Sequence, residues 1–234
     1  MQIEGWEITV RWLLLVCIFC LGSFCPPAFA NSGAFDFKGI PLGISLTEFR
    51  NQPHPDQKNS RVICTGDKDS RGYAHYQVSI YDETEKSAGV VKCIFFGASY
   101  VSAAIEQSVG LNMGGGNYAS YDYGFYFAPD PKTKIMRLYK IVLPTNVNAM
   151  GDVVSALTDK FGPTKSVRTG TVQNRMGANF PQKIYVWRRQ GFSIQVEGPW
   201  SKIDNMAVVY LDENLARAVD TAAGAAKAAK PNRM

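Results

Sequence analysis

Histidine, charged residues and catalytic motifs are scarce in this chain. Its 234 residues include two histidines, His54 and His75, and charged residues make up only 19%. After residue 30 there is no G-x-S-x-G, H-E-x-x-H, S-x-x-K or Walker-type motif. The net charge of +5 is spread without a dense block of Lys and Arg, which fits solubility or contact with an anionic surface better than a nucleic-acid footprint. We therefore expect a protein that is not an enzyme and does not bind nucleic acid.

Long apolar runs are also lacking, and the longest one, at residues 12–21, is too short to span a bilayer. Ala28 and Ala30 follow it at the −3 and −1 positions of a cleavage site before Asn31, which is typical of a secretory signal peptide. We predict a signal peptide over residues 1–30, a periplasmic or secreted location in a bacterium, and no stable membrane span after cleavage. Cleavage would change the net charge to +6, because one cation and two carboxylates would leave.

Three alternatives stay open at the N-terminus. The apolar run is also compatible with an uncleaved membrane anchor. Because Glu4 and Glu7 offset Arg11 ahead of the run, a translation start near Val10 would give a more ordinary signal peptide. Lipidation of Cys25 is less favoured, since a bulky phenylalanine precedes it.

Cysteine is rare once the leader is set aside, because only Cys64 and Cys93 follow it. An even pair within strand-like segments of an exported protein is typical of a disulfide. Such a bridge would contribute roughly 3 to 4 kcal/mol through chain entropy. The alternative, a metal site that adds His54 and His75, lacks any C-x-x-C or H-x-x-x-H spacing, so we expect no metal and no cofactor.

Alternating apolar and polar residues predict strands along most of the chain. The predicted strands are residues 35–40, 61–64, 76–81, 90–96, 123–127, 136–143, 167–172, 183–188, 192–197 and 206–211. Residues 82–88 are expected to turn the chain between two strands, and proline-containing residues 128–134 are expected to form a hairpin turn.

Helices are predicted at four places. Ser45 and Glu48 form a capping box before a short helix over 46–51, and one or two turns are expected over 102–109. With Asn148 as N-cap, apolar residues share one face of a helix that ends at Gly162. The Ala-rich residues 215–230 predict a last helix.

These elements predict an α+β fold in which one or two antiparallel sheets carry two main helices packed on one face. Two related helix-plus-meander units and one continuous sheet are both compatible with the order of the elements. The predicted domain is 31–213, with 35–128 and 135–213 as its halves, followed by an Ala-rich helix and basic tail at 214–234.

Tyrosines gather beside a Gly-rich segment at 110–116. Tyr118 and Tyr121 are the candidate binding surface, because tyrosine gives a large contact area at low entropic cost. Tyr123, Phe125 and Tyr126 are expected to pack in the core or on the sheet.

The G-x-x-L-G-x-[ST] pattern at 39–45, within the segment 35–45, resembles the start of small exported proteobacterial proteins of unknown function. Residues 138–141 and 153–163 give a second match. More distantly, this opening before a short helix is similar to the fold group of the β-lactamase inhibitory protein and the small outer-membrane assembly lipoprotein. The resemblance covers about a third of the chain and implies an α+β fold. The lipid-anchor cysteine is missing, and no inhibitory residue is carried over.

The function predicted from these observations is an exported binding or protein-interaction module, with an inhibitor or an envelope-assembly accessory as narrower versions. Its partner is expected to be another envelope or secreted protein. The alternative is a hydrolase that acts on cell-envelope material. An acidic or His-containing cleft would favour the hydrolase, whereas a flat or concave aromatic surface would favour binding.

Overall fold

Antiparallel strands dominate the computed structural model, which describes residues 34–68, 77–98, 106–114, 116–120 and 122–228. Within these residues the strands are β1 (Asp36–Phe37), β2 (Ile40–Pro41), β3 (Ser60–Cys64), β4 (Val91–Ala98), β5 (Glu106–Ser108), β6 (Asn112–Gly114), β7 (Asn117–Tyr118), β8 (Gly124–Pro129), β9 (Met136–Asn146), β10 (Ser166–Gln173), β11 (Asn179–Arg189), β12 (Phe192–Gly198) and β13 (Asn205–Asp212). The helices are α1 (Leu46–Arg50), α2 (Glu83–Ser87), α3 (Met150–Phe161) and α4 (Glu213–Ala228). The predicted signal peptide over 1–30 lies outside the described residues.

One nine-stranded sheet contains most of these strands. Eight of them follow the order β10-β11-β12-β13-β9-β8-β4-β3, and the ninth, β5, pairs with β4. Along one side of β4, β8 pairs with residues 91–93 and β5 pairs with residues 96–98. The buried Tyr123 lies at the junction of β5 and β8, where its hydroxyl accepts from Phe95 N–H at 3.0 Å and donates to Val109 C=O at 2.8 Å. Both predicted halves, 35–128 and 135–213, supply strands to this sheet.

The two longer helices pack on opposite faces of the sheet, so the predicted α+β fold with two main helices on one face is wrong. Leu157 of α3 belongs to the same buried cluster as Tyr210, whereas Val219 of α4 packs in a second cluster with the neighbouring Leu211. Successive strand residues point to opposite faces, which places the helices on different sides. We call these sides the α3 face and the α4 face.

Both faces of the sheet must be buried, because its central strands direct apolar side chains to both faces. Strand β9 directs Ile141 and Leu143 into the larger cluster and Tyr139 into the smaller one. Two helices on one face, as predicted, would leave the other face of the sheet in solvent, as in a half-covered antiparallel sheet. The result is a predominantly antiparallel β fold with one large sheet.

Two local predictions are also wrong. Residues 106–108 of the expected helix over 102–109 form β5, and residues 101–105 lie outside the described part of the chain. The expected strand over 76–81 is replaced at residues 77–78 by a helical turn, and α2 occupies the predicted turn that follows. In α2 the Asp82 carboxylate caps the helix by accepting from the N–H groups of Thr84 and Glu85.

Several elements are confirmed. The capping box is present, because Ser45 Oγ accepts from Glu48 N–H and the Glu48 carboxylate accepts from Ser45 N–H. Helix α3 follows a 3₁₀ turn whose N-cap is Asn146 rather than Asn148, and it ends at Gly162, where φ is 82°. The strands β8 to β13 lie where they are predicted and extend a few residues further.

Cys64 and Cys93, the two cysteines expected to pair, are joined by a disulfide between register partners of β3 and β4. The bridge spans 29 residues of sequence, and both cysteines are fully buried. In the described part of the chain, no helix combines the length and the apolar character needed to cross a membrane.

Candidate binding pocket on the α4 face

A pocket of about 660 Å³ opens on the α4 face beside α2. Its described lining is Gln77, Ser79, Ile80, Tyr81, Asp82, Glu85, Lys92, Asp122, Tyr126, Lys140, Val142 and Trp200. We call it the Lys92 pocket. It contains two lysines and three carboxylates, which is an unusual density of charge for a partly buried sheet surface.

Three neighbouring strands build the floor of the Lys92 pocket. Lys92 of β4 is the register partner of Tyr126 of β8, which in turn faces Lys140 of β9. Directly opposed residues of antiparallel strands lie on the same face, so the three side chains form one cross-strand row. Gly124 leaves room for this row, because a Cβ there would lie 2.6 Å from Lys92 Cε and 2.8 Å from the Tyr126 ring.

Lys140 is neutralised by a buried carboxylate of α2. Glu85 is 7% exposed, and its Oε1 accepts from Lys140 Nζ and from the Tyr139 hydroxyl, the latter at 2.7 Å. A register shift between β8 and β9 leaves Tyr139 as an extra residue, so that adjacent Tyr139 and Lys140 both reach the α4 face. The Lys140 ammonium also lies 4.4 Å from the centroid of the Tyr126 ring.

Lys92 has no such partner. The residue is only 6% exposed, and within the described residues its ammonium makes neither a hydrogen bond nor an ion pair. Its nearest aromatic contact is the Tyr126 ring, with the centroid 6.0 Å away. Burial lowers the pKa of Lys92 to about 8, although the negative charges of Asp122 and Glu85 act in the opposite direction.

Burial also shifts the pKa values of the tyrosines in the pocket floor. It raises the pKa of Tyr126 well above the usual value, and the charges of Glu85, Asp122 and Asp82 add to this shift. The pKa of Tyr139 is raised by burial first and then by its hydrogen bond to Glu85. Both phenols are therefore neutral and present hydroxyl groups rather than phenolates at physiological pH.

The mouth of the pocket is aromatic. Tyr81 is 77% exposed, and Trp200 lies half-buried in the turn after β12. Aromatic side chains that stay exposed beside a polar floor are typical of binding surfaces, because they bury a large area with few rotatable bonds.

The disulfide fixes the strand that carries Lys92. Cys93 follows Lys92 directly, and beyond the bridge the Thr65 N–H donates to Lys92 C=O at 2.9 Å. Thr65 Oγ1 also bonds Val78 C=O at 2.5 Å, which holds the wall of the pocket against the end of β3. The Lys92 backbone is therefore held by the disulfide of its neighbour Cys93 and by the hydrogen bond from Thr65.

Tyr118, one of the two candidates from sequence, lies in a different place. It is 56% exposed and lines a separate pocket of about 490 Å³ near Gly110 and Gln107. Tyr121 lies outside the described residues. The role of both tyrosines in binding therefore stays a prediction. Tyr126, expected in the core or on the sheet, lies on strand β8 of the sheet and also lines the Lys92 pocket.

His54 is buried beneath loop backbone rather than aimed into a cleft. Its Nδ1 accepts from the N–H groups of Asp56 and Gln57 at 3.0 and 2.9 Å, and burial lowers its pKa. His75 lies outside the described residues. Among the residues that the structure describes, no group of three or more His, Cys, Asp or Glu side chains is placed to hold a metal ion.

Sequence reasoning missed the residues of the Lys92 pocket. Lys92 and Lys140 each stand as a lone charge within an apolar strand, at 90–96 and 138–143, and this pattern is the available indication. Glu85 gives no comparable indication, because it sits in a polar segment that was expected to be a turn.

Comparisons of the chain with protein-family models, with curated proteins and with solved structures return no match. The candidate site is therefore argued from its geometry alone.

Proposed function

We propose that this chain is an exported binding module that holds an anionic group of a partner protein in the Lys92 pocket. The observation that carries this proposal is the buried ammonium of Lys92, which lacks a counter-charge in contact with it. Burying an unpaired charge is costly, and buried titratable groups with shifted pKa values cluster at functional sites. A carboxylate from a partner would supply the missing hydrogen bonds, and the aromatic mouth would contact the segment that carries it.

The pairing of the other charges supports this assignment. Glu85 already bonds Lys140 and Tyr139, and Asp82 caps α2. A hydrolase that uses a pair of carboxylates would need two free carboxyl groups in the cleft, whereas these two are engaged within the fold and the third, Asp122, accepts a hydrogen bond from the Ser120 hydroxyl. We therefore prefer binding over the alternative of a hydrolase that acts on envelope material.

The test compares partner capture by matched lysine variants. Immobilised wild type, Lys92→Met and Lys132→Met are incubated with an envelope extract, and the retained proteins are quantified by mass spectrometry. Lys132 is exposed in the β8–β9 turn and serves as the control. A charge-assisted hydrogen bond is worth about 1.5 to 3 kcal/mol, so Lys92→Met is expected to reduce retention of the partner by about ten-fold or more.

A second readout locates the contact. In the purified complex, Lys92 is expected to be protected from reductive methylation, while Lys132 reacts as in the free protein. Equal retention by wild type and Lys92→Met, or a Lys92 that stays reactive in the complex, would refute the proposed site.

A further inference from the structure

Positive charge is concentrated in one part of the sheet. Residues 162–204, which contain β10, β11, β12 and the β12–β13 turn, carry seven Lys and Arg and two acidic residues, Glu197 and Asp204, giving a net charge of +5. The whole chain also carries +5, so all other residues together carry no net charge. Charge separation of this size is a property of the surface rather than of the core.

Most of these cations are not neutralised within the fold. In the described part of the chain, Arg188 forms an ion pair with Glu213 at 3.1 Å. Six others are exposed and have no ion pair with any described residue: Lys165, Arg168, Arg175, Lys183, Arg189 and Lys202. Their charge is therefore available to a partner.

The cations surround the β10–β11 hairpin instead of forming one flat patch. Nearly every residue of β10 is exposed, so this end of the sheet projects beyond the packed core. Lys183 is the register partner of Thr169, and Arg168 faces Ile184. Arg168 and Lys183 therefore point to opposite sides of the ribbon.

Two exposed apolar side chains accompany this charge at one end of the sheet. Met176, in the β10–β11 turn, is 89% exposed, and Ile203, in the β12–β13 turn, is 44% exposed. The two turns adjoin, because Arg175 and Lys202 line one shallow depression. Met176 is held outward by an ordered turn, in which Asn174 Oδ1 accepts from the N–H groups of Met176 and Ala178 at 3.0 and 2.9 Å.

We propose that the β10–β11 hairpin and the β12–β13 turn form a docking surface for an anionic phospholipid membrane. Met176 and Ile203 enter the headgroup layer, and the surrounding cations contact lipid phosphates. Exposed apolar residues flanked by Lys and Arg are typical of segments that lie in the membrane interface. A fluid lipid surface can meet cations on both sides of a projecting ribbon, whereas a rigid protein face would reach mainly one side.

The test measures binding to vesicles by co-sedimentation. Vesicles of phosphatidylcholine are compared with vesicles in which part of the lipid is phosphatidylglycerol, at about 0.1 M and about 0.5 M salt. The full chain is expressed and its exported form is used. The phosphatidylcholine vesicles control for any contact made by the apolar N-terminal residues. We expect binding to the anionic vesicles that weakens at high salt.

Matched variants separate the docking surface from net charge. Replacing Arg175, Lys183 and Lys202 by Gln is expected to lower the affinity for anionic vesicles by about a hundred-fold, at about five-fold for each cation. The control replaces Lys58, Lys132 and Lys227 by Gln, which changes the net charge equally in other exposed elements. This control is expected to stay within about a factor of three of wild type.

Apolar insertion has its own pair of variants. Met176→Ser is expected to reduce the affinity for anionic vesicles by about ten-fold, whereas Ile135→Ser in the β8–β9 turn, at the opposite end of the sheet, is expected to leave it unchanged.

Lys92→Met is expected to bind vesicles like wild type, so the outcome is independent of the Lys92 pocket. Equal binding to both vesicle types, or equal losses in the two triple variants, would overturn the proposal. Failure to bind vesicles, with hairpin-dependent capture of an acidic protein, would assign the surface to a protein partner instead.

Discussion

Lys92 and Lys140 differ in their partners although they flank the same tyrosine on one face of the sheet. Both reach toward the Tyr126 ring, but only Lys140 meets a carboxylate, that of Glu85. Because Glu85 also accepts from Tyr139, its charge is committed to the fold. The pocket therefore contains one lysine that stabilises the fold, Lys140, and one that is available to a ligand, Lys92.

This division predicts the effect of removing the Glu85 charge. Glu85→Gln takes a buried anionic acceptor from Lys140 and Tyr139, and we expect the free energy of unfolding to fall by about 2 to 3 kcal/mol. Urea unfolding measures this loss. Glu83→Gln on the same helix is the control, because Glu83 pairs with Lys86 in solvent and is expected to contribute less than about 0.5 kcal/mol. Similar losses in both variants would contradict the structural role of Glu85.

At the scale of elements, the disulfide links the site to the sheet. Cys64 and Cys93 end the β3–β4 ladder one residue from Lys92, so the bridge limits fraying where β4 has changed its partner from β5 to β8. The loop that it closes spans 29 residues.

Removal of the bridge is expected to destabilise the protein by about 3 kcal/mol in the chain-entropy model. The measurement is urea unfolding of wild type with and without a reductant, and of a double variant with both cysteines replaced by alanine. The double variant should have a lower free energy of unfolding than oxidised wild type, and this free energy should not change with the reductant. If reduction leaves the unfolding midpoint of wild type unchanged, the bridge does not stabilise the fold.

Sequence patterns located most elements because local chemistry determines them. The Ser45–Glu48 capping box and the alternation at 192–197 can be recognised without reference to distant residues. The choice of faces is different, because the packing of α3 and α4 on opposite sides depends on which apolar residues contact each helix, such as Leu211 and Tyr139 beside α4, and alternation within a strand does not show this.

The candidate site was less accessible to sequence reasoning for the same reason. Lys92, Tyr126 and Lys140 are 14 or more positions apart, and only the register of β4, β8 and β9 brings them into one row. The register shift that turns Tyr139 toward Glu85 has no distinct pattern in the sequence. By contrast, the cystine partners could be named because only two cysteines follow the leader.

For the whole molecule, charge is divided between an inner site and an outer surface. The Lys92 pocket, on β4 next to the β3 edge of the sheet, holds one cation without an ion pair among the described residues, while residues 162–204 place the net charge at the opposite, β10 edge. The buried cation lowers the stability of the free protein, since its pKa is depressed. Binding of an anion would recover that free energy, so stability and recognition are coupled through Lys92.

This coupling predicts how global stability depends on pH. The pKa of Lys92 falls from 10.5 in an ordinary environment to about 8 in the fold. Below pH 8 both folded and unfolded states carry the proton, and the cost of the buried charge is fully present. Between pH 8 and 10 the folded state loses the proton first, so the unfolded state binds more protons and the free energy of unfolding rises, by about 2 kcal/mol. Above about pH 10 the neutral buried tyrosines oppose further gain.

Urea unfolding across pH 7 to 10 tests this expectation against two lysine variants. Lys92→Met removes the titrating group, so its stability is expected to exceed that of wild type at pH 7 by about 1 to 3 kcal/mol and to stay flat through the window. Lys132→Met changes an exposed lysine and should keep the wild-type rise. A rise of equal size in Lys92→Met would mean that another group titrates, and the buried ammonium would then not be the source of the coupling.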